Sequence, residues 1–206
     1  GTVTYGGSCS SSTTSATSGN NTVTLKGSST STLADNTTFS DCTITVTDEA
    51  GNVGNTITIT EFTVDTTAST LIEVTAVTTP TNDTSPDYSF SSSQTGTITY
   101  GGSCTSDNSS ATASDNNTIT LKQSDNTTFD ENTYNDCTLT VTDNASNAVT
   151  LSISSFVIDT TAPTLVSTSP ADSDNLTSIS TSIEVEFSEE MDNISTTTSG
   201  TSCSGS

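Results

Sequence analysis

Gly96-Thr-Ile-Thr-Tyr-Gly-Gly-Ser-Cys104 repeats, almost letter for letter, an earlier stretch of the chain, Gly1-Thr-Val-Thr-Tyr-Gly-Gly-Ser-Cys9. The shift between the two copies is 95 residues (104 − 9). The same shift relates Phe39-Ser-Asp-Cys42-Thr-Ile-Thr-Val-Thr-Asp48 to Tyr134-Asn-Asp-Cys137-Thr-Leu-Thr-Val-Thr-Asp143. A constant period of this size indicates one structural unit that is copied in tandem.

The repeats divide the 206 residues into three parts. Residues 68–161 form one complete unit, residues 1–67 align with it but lack its first strands, and residues 162–206 match the start of a third unit. The linkers Asp65-Thr-Thr-Ala68 and Asp159-Thr-Thr-Ala-Pro163 are short and contain no Gly/Ser run, so we expect a fairly rigid row of units. Because the two ends overlap within the repeat, we interpret the sequence as a stretch of a longer repetitive chain.

The apolar residues of the complete unit recur at period two, which is typical of short strands rich in Thr, Val and Ile. No segment has helical periodicity. About seven such strands, with turn residues between them, predict an all-β fold of tandem immunoglobulin-like antiparallel β-sandwiches. The candidate strands cover residues 70–77, 87–90, 96–100, 117–122, 136–142 and 148–158, with a polar loop at 103–115.

The last candidate strand changes face along its length. Leu151 and Ile153 share one parity, whereas Phe156 and Ile158 share the other. The first copy has the same pattern, with Ile57 and Ile59 followed by Phe62 and Val64. Because a slip of one residue exchanges the two faces of a strand, we predict a bulge or a sheet switch near Thr60-Glu61 and Ser154-Ser155.

Tyr134 precedes Cys137 by three residues, near the start of a late strand. That position makes it a candidate for a tyrosine corner, in which the hydroxyl bonds to upstream backbone. Phe39 replaces it in the first copy, so a corner that needs the hydroxyl is not general to the repeats.

Cysteine spacing predicts one disulfide in each repeat. Cys9 and Cys42 lie 33 residues apart, as do Cys104 and Cys137, and such pairs favour an oxidising, extracytoplasmic compartment. A zinc site is the alternative, but the chain has no His and no CxxC pair. We interpret Cys203 as the first cysteine of the third unit, with its partner beyond residue 206; an intermolecular bridge is the alternative.

The chain is strongly acidic, with 24 Asp and Glu residues, two lysines and a formal net charge of -22. Such a chain repels nucleic acids and anionic membranes, so neither is an expected partner. It also lacks any run of about 18 apolar residues, so we expect no membrane insertion in this segment. High charge and low hydrophobicity can signal disorder, but the ordered apolar alternation and the recurrent cysteines argue against it.

Several segments resemble the bacterial Ig-like repeats of large secreted and cell-surface proteins. Thr43-Ile-Thr-Val-Thr-Asp-Glu-Ala-Gly-Asn52 and Phe62-Thr-Val-Asp-Thr-Thr-Ala68 carry the likeness, and Asp159-Thr-Thr-Ala-Pro-Thr164 is a sharper form of the linker. The third unit, from Ser169-Pro-Ala-Asp172 to Phe187-Ser-Glu-Glu-Met-Asp192, is similar to an Ig-like domain of S-layer-type proteins. The resemblance implies the fold and an extracellular or cell-surface location; such repeats serve as stalks, adhesins and fibre building blocks alike.

No arrangement of residues indicates an enzyme. Without His, the Ser-His-Asp and Cys-His arrangements are absent, and the cysteines are better used in disulfides. The one candidate ligand is calcium, which takes six to eight hard oxygen donors and which stiffens joints in similar Ig-like arrays. The alternative is that these Asp and Asn residues form turns. The candidate calcium ligands are Asp48, Asn52, Asp65, Asp143, Asn147 and Asp159.

Nine Asn-x-Ser/Thr sequons are candidates for N-glycosylation, since several fall in predicted loops. Dense O-glycosylation of the Ser/Thr-rich chain is a second hypothesis. The sequon asparagines are Asn20, Asn36, Asn82, Asn108, Asn116, Asn126, Asn144, Asn175 and Asn193.

The leading functional hypothesis is a non-enzymatic structural segment of a long extracellular fibre, filament or stalk. Its partners would be neighbouring copies or repeats of the same protein. The alternative is an adhesin whose loops bind a surface or a glycan. Carbohydrate sites usually present exposed Trp or Tyr, and this chain has no Trp and four Tyr that fit strand positions, so the first hypothesis is favoured. Strand donation between chains, through an open sheet edge, is a further alternative for assembly.

Overall fold

The computed structural model describes residues 1–28, 31–170 and 184–191. The fold is all-β with antiparallel sheets, as the sequence predicts for Ig-like sandwiches. The chain separates into two compact units, Gly1–Asp159 and Thr160–Ser206. The first unit contains two copies of the repeat, so the predicted boundary at 67/68 lies within it and stays a prediction.

The second repeat is the fuller copy. Its strands are β8 (Leu71–Thr75), β9 (Asp87–Ser92), β10 (Gly96–Gly101), β11 (Cys104–Thr105), β12 (Ser110–Ala111), β13 (Ser114–Thr120), β14 (Lys122–Gln123), β15 (Asn132–Tyr134), β16 (Thr138–Thr142), β17 (Ala148–Ser152) and β18 (Phe156–Ile158). The two main sheets have the strand orders β12-β10-β16-β17 and β13-β9-β8, and small two-stranded ladders join β11 to β14 and β15 to β18.

The core of the second repeat lies between these sheets. Tyr88 and Phe90 of β9 are fully buried, as are Leu139 and Val141 of β16, because each set occupies alternate positions of its strand. Ile119 of β13 is also buried. Side chains of opposite sheets thus close the interior of this repeat.

The predicted sheet switch is confirmed. β17 pairs with β16 in the four-stranded sheet, whereas β18 pairs with β15 in a separate ladder. The break between them covers residues 153–155. The first repeat has the same arrangement, because its corresponding strands pair with different partners on either side of residues 59–61.

Some strand boundaries differ from the prediction. The predicted loop at 103–115 contains β11, β12 and the start of β13, which are too short or too polar to show apolar alternation. The predicted strand 117–122 is interrupted at Leu121, after which β14 turns to pair with β11. Cys137 is buried as expected but lies just before β16.

The strands of the first repeat are β1 (Thr2–Gly6), β2 (Cys9–Ser10), β3 (Lys26–Gly27), β4 (Thr37–Phe39), β5 (Thr43–Thr47), β6 (Ile57–Thr58) and β7 (Phe62–Val64). They correspond to β10, β11 and β14 to β18 of the second repeat, whereas β12 and β13 have no counterpart among the described strands of the first repeat. β1 pairs with β5, which pairs with β6, and β4 pairs with β7 in the register that β15 and β18 use. The smaller core of this repeat is built on Cys9, Phe39 and Cys42.

In the unit Thr160–Ser206, the described strands are β19 (Leu165–Ser169) and β20 (Glu184–Phe187), which form an antiparallel pair. Its hydrogen bonds repeat those of β8 and β9. Thr164 N–H donates to Ser188 Oγ at 2.9 Å, and Ser188 N–H donates to Thr164 O at 2.9 Å. In the second repeat, Thr70 and Ser93 make the same two bonds at 2.8 and 3.1 Å.

Candidate functional site

The structure contains both predicted disulfides, Cys9–Cys42 and Cys104–Cys137, each with a Cα–Cα distance of 5.2 Å. All four cysteines are buried. In the second repeat the bridge joins segments next to the paired ends of β10 and β16, where Gly101 faces Thr138. Because the thiols are consumed in bridges, these cysteines do not form the alternative zinc site.

A glycine and a serine bring the bridged segments together. Gly102 has a φ of 72°, and a Cβ at this position would collide with the carbonyl oxygen of Asp136. Only glycine allows both the positive φ and the close approach of this oxygen without strain. Next to it, Ser103 donates to Asp136 Oδ1 from its N–H at 3.1 Å and to Oδ2 from its hydroxyl at 3.0 Å. We call the Gly-Ser-Cys and Asp-Cys segments together the clasp.

The first repeat has the same clasp. Gly7 has a φ of 72° and approaches the Asp41 carbonyl oxygen in the same way. Ser8 donates to the Asp41 carboxylate at 3.1 and 3.0 Å. Hydrogen bonds from the Ser8 N–H and then the Ser8 hydroxyl lower the pKa of Asp41 below its usual value. In the first repeat, the Ser8 bonds of the clasp are thus made to the ionised carboxylate of Asp41.

The tyrosine of the repeated Tyr-Gly-Gly-Ser-Cys motif fixes the loop that follows the clasp. Tyr100 Oη donates to the Asn108 carbonyl oxygen at 2.6 Å, and Tyr5 Oη donates to the Thr13 carbonyl oxygen at 2.7 Å. Both acceptors lie eight residues downstream of the tyrosine. In the second repeat, Tyr100, Gly102, Ser103 and Cys104 of the motif therefore each make a specific structural contact.

Asp41 and Asp136 are site residues that were not predicted from the sequence. The signal was present, because Ser-Cys and Asp-Cys each recur together with the cysteines at a spacing of 33 residues. A pair of residues that accompanies a disulfide in both copies is a candidate for contact beside that disulfide.

The linker between the two repeats is held by the first repeat. Asp35 Oδ1 accepts a hydrogen bond from Thr66 N–H, and Asp35 Oδ2 accepts one from the Thr67 hydroxyl, both at 2.6 Å. The Thr67 hydroxyl and then the Thr66 N–H lower the pKa of Asp35 to about 2. Asp35 therefore accepts these bonds as a carboxylate throughout the physiological pH range.

The second repeat holds the same linker from the other side. Asn147 Nδ2 donates to the backbone oxygen of Asp65 at 3.1 Å and to Asp143 Oδ2 at 3.0 Å. Asp143 is buried, and hydrogen bonds from Asn147 above all hold its pKa below the usual value despite this burial. The linker residues 65–67 are thus bonded to both repeats, and we call this arrangement the joint.

Glu73 stabilises the sheet switch of the second repeat. Its carboxylate accepts hydrogen bonds from Ser154 N–H at 3.0 Å and from the Ser154 hydroxyl at 2.7 Å. Burial raises the pKa of Glu73, but the bonds from Ser154 outweigh it and the net shift is downward. The Ser154 N–H lies in the break between β17 and β18, outside the ladders, and Glu73 supplies its hydrogen-bond acceptor.

Four of the calcium candidates lie in two matching turns. Asp48 accepts bonds from Asn52 N–H and Nδ2, each at 2.8 Å, and Asp143 accepts the equivalent bonds from Asn147 at 2.9 and 3.0 Å. Asp65 Oδ1 accepts Thr67 N–H, and Asp159 N–H donates to Thr81 O. Within residues 1–28, 31–170 and 184–191, no group of three Asp, Glu, His or Cys residues is close enough to hold a metal ion. The calcium hypothesis stays a prediction.

The sequon asparagines that the structure describes are all solvent-exposed: Asn20, Asn36, Asn82, Asn108, Asn116, Asn126 and Asn144. A glycan can be attached only to an exposed asparagine, so N-glycosylation at these positions stays a prediction. Asn175, Asn193 and Cys203 lie outside the described residues.

Tyr134 makes the predicted corner contact. Its hydroxyl donates to the backbone oxygen of Asp130 at 3.1 Å, and its ring stacks on Phe156 with a centroid distance of 5.4 Å. In the first repeat Phe39 stacks on Phe62 at 5.3 Å, so the ring packing is common to both copies and the hydrogen bond is not.

Comparison with known proteins gives a match for the last part of the chain. Among the described residues, no helix is long and apolar enough to cross a membrane. No curated protein and no solved structure is significantly similar to the chain. Ig-like domains are generally non-enzymatic, and this fold is consistent with a structural or adhesive domain. The fold and the disulfides together suggest an extracellular location. Residues 159–206 match the family of the bacterial Ig-like domain.

Proposed function

We propose that the chain is a non-enzymatic structural segment of a long extracellular fibre, filament or stalk built of tandem Ig-like domains. The observation that carries the proposal is the joint. Asp35 bonds to Thr66 and Thr67 from the first repeat, and Asn147 bonds to Asp65 from the second. A linker that is bonded on both sides transmits orientation from one repeat to the next, which is a property that a stalk or a fibre requires.

The clasp supports the same proposal. An extracellular fibre works without chaperones or a reducing cytosol, and the clasp combines a disulfide with two hydrogen bonds in each repeat. For a loop of this length, the chain-entropy estimate gives about 3–4 kcal/mol of stabilisation for each bridge. The net charge of -22 keeps such repeats soluble and is tolerated best in a salty medium.

The adhesin alternative has less support. Tyr88 and Tyr134 are buried in the core, and the hydroxyls of Tyr5 and Tyr100 already donate to backbone oxygens. The chain therefore offers few aromatic faces for stacking on a sugar. Screening the chain on a glycan array tests this alternative, and specific binding that depends on a loop residue would favour it.

NMR relaxation tests the fibre proposal. In the native chain, we expect the backbone amides of the first and second repeats to report the same rotational correlation time and the same axis of rotational diffusion. The double variant Asp35→Ala/Asn147→Ala removes bonds on both sides of the linker, so the two repeats should reorient more independently. Asn52→Ala is the matched control, because Asn52 makes the same turn with Asp48 in the first repeat. Independent motion of the repeats in the native chain would contradict the proposal.

A further inference from the structure

The first and last segments of the second repeat lie side by side and run in the same direction. A parallel bridge joins Thr81 to β18, whereas the ladders between the neighbouring strands of the main sheets are antiparallel. Thr81 N–H donates to Val157 O at 3.0 Å, and Asp159 N–H donates to Thr81 O at 2.9 Å. Val157 N–H also donates to Thr79 Oγ1 at 3.0 Å. We call these four residues and their hydrogen bonds the seam.

A second contact joins the same two parts of the chain. Glu73 of β8 accepts hydrogen bonds from the N–H and the hydroxyl of Ser154, which lies in the break before β18. The partners in this contact are 81 residues apart, and Thr79 and Val157 are 78 residues apart. Both contacts therefore tie the beginning of the repeat to its end.

The direction of the two segments decides how the seam responds to tension. In a tandem array under load, force enters a repeat through the residues before its first strand and leaves through the residues after its last strand. For the second repeat, the force pulls β8 towards its N-terminal end and β18 towards its C-terminal end. Because the two segments are parallel, these forces are opposed along the strand direction, so the hydrogen bonds of the seam are sheared together rather than opened in turn.

The disulfide removes the middle of the repeat from the path of the force. Cys104 and Cys137 are separated by 33 residues, and the bridge holds their Cα atoms 5.2 Å apart. Strands β12 to β15 lie within the closed loop, as do Ile119 and Phe129 of the core. Tension passes through the bridge, so a repeat whose seam has broken can lengthen only by the chain outside this loop.

We propose that the second repeat is a tension-bearing unit, in which the seam sets the force at which the repeat opens and the disulfide limits how far it then extends. The contact of Glu73 with Ser154 reinforces the seam, because it ties β8 to the residues just before β18. The inference rests on the proposed fibre function, in which load passes from repeat to repeat, and it adds a mechanical role for named residues.

Force spectroscopy on the full 206-residue chain tests the proposal through the direction of pulling. Handles at Ala68 and Ala162, attached without cysteine chemistry, load the second repeat so that the seam is sheared. Handles at Asn82 and Ala162 pull on the C-terminal side of both segments and peel the same bonds apart. At equal force, the sheared repeat should open at least about tenfold more slowly, because three hydrogen bonds must break together instead of singly.

Side-chain variants locate the resistance within the repeat. Thr79→Val removes the hydroxyl acceptor of the seam, and Ser154→Ala removes one bond to Glu73. Each should speed opening in the shearing geometry by about threefold to tenfold. Tyr134→Phe is the matched control, because it also removes one hydrogen bond but lies inside the disulfide loop. It should lower the free energy of unfolding in denaturant and leave the opening rate under force unchanged.

The length gained on opening tests the role of the disulfide. In Cys104→Ala/Cys137→Ala, the extension should increase by about 110–120 Å, because the 33 residues of the loop join the stretched chain at about 3.3–3.6 Å each. Cys9→Ala/Cys42→Ala is the control, since that bridge lies outside the two handles and its loss should not change the extension.

Three results would overturn the proposal: equal opening rates in the two pulling directions, a Thr79→Val variant that behaves like Tyr134→Phe, or an extension that does not depend on the Cys104–Cys137 bridge. None of these measurements depends on the bonds that hold residues 65–67 to both repeats. The relaxation of the two repeats therefore judges the fibre proposal separately.

Discussion

Ser103 donates two hydrogen bonds to Asp136, one from its N–H at 3.1 Å and one from its hydroxyl at 3.0 Å. Ser8 and Asp41 form the same pair at the same distances in the first repeat. Each serine precedes one cysteine of the disulfide, and each aspartate precedes the other. Polar and covalent contacts therefore hold the same two segments, and both depend on how closely a glycine lets them approach.

Gly7→Ala should destabilise the first repeat more than a glycine replacement in open space. The new Cβ would collide with the Asp41 carbonyl oxygen, and alanine is strained at a φ of 72°. Gly51 is the control, since its φ is 86° and nothing lies within 4 Å of an added Cβ. We expect a loss of about 1–2 kcal/mol for Gly51→Ala, from backbone strain alone, and at least about 3 kcal/mol for Gly7→Ala. Equal losses in denaturant unfolding would show that the close approach is unimportant.

The parts of this fold that the sequence predicts are those with a local signal. The face change at Ser154-Ser155 follows from the parity of Leu151, Ile153 and Phe156, because period two assigns each side chain to a face. The disulfides follow from a spacing repeated in both copies. β11 and β12 have no such signal, since two residues cannot show alternation and their pairing depends on distant strands.

The exposure of Val46 could not be predicted from the sequence for a related reason. Val46 and Val141 occupy equivalent strand positions with equivalent neighbours, so a pattern predicts the same burial for both. Their exposure differs because burial depends on the sheet packed above, which for Val141 includes β9. The joint is similar, because it depends on an Asn147 side chain that meets a backbone oxygen 82 residues away.

Removing the disulfide of the second repeat should lower its free energy of unfolding by about 3–4 kcal/mol, the chain-entropy value for this loop. Cys104→Ala/Cys137→Ala is the variant, and guanidinium unfolding followed by circular dichroism is the measurement. Cys9→Ala/Cys42→Ala in the first repeat is the parallel variant, because the separation of 33 residues is identical. If either disulfide could be removed without a change in the unfolding midpoint, the stability of that repeat would not depend on its disulfide.

Tyr134→Phe should cost about 1 kcal/mol, the usual net value of one hydrogen bond. The lost bond is the one to the Asp130 backbone oxygen, whereas the stack on Phe156 can remain, as the Phe39–Phe62 stack shows in the first repeat. Phe39→Tyr is the reciprocal variant in the first repeat. Denaturant unfolding measures both, and a loss above about 3 kcal/mol for Tyr134→Phe would mean that the hydroxyl does more than close this corner.

The hydrogen bonds of Asp35 should make the stability of the joint depend on pH at the acid end. The pKa of Asp35 is about 2 in the folded chain, and the pKa of an unfolded Asp is about 3.9. The folded state thus binds fewer protons, so the contribution of Asp35 is complete above the unfolded pKa and is lost as the pH falls towards 2. NMR titration of the Asp35 carboxyl carbon measures this pKa directly.

Thr67→Val is the matched variant for this titration, because it removes the hydroxyl that contributes most to the shift and retains the shape of the side chain. The pKa of Asp35 should rise towards the usual value in this variant. An unchanged titration would show that the Thr67 hydroxyl does not bond to the carboxylate in solution.

Calcium should leave the melting temperature of the chain unchanged, because the oxygens that would bind it already accept hydrogen bonds. Asp48 and Asp143 each bond to the N–H and the side-chain amide of the asparagine four residues on, which lowers both pKa values and closes the turn. Thermal unfolding in millimolar calcium and in chelator measures the effect. A rise with calcium that Asn52→Ala or Asn147→Ala abolishes would instead assign these turns to a metal site, and the joint would then be stiffened by an ion as well as by the hydrogen bond to Asp65.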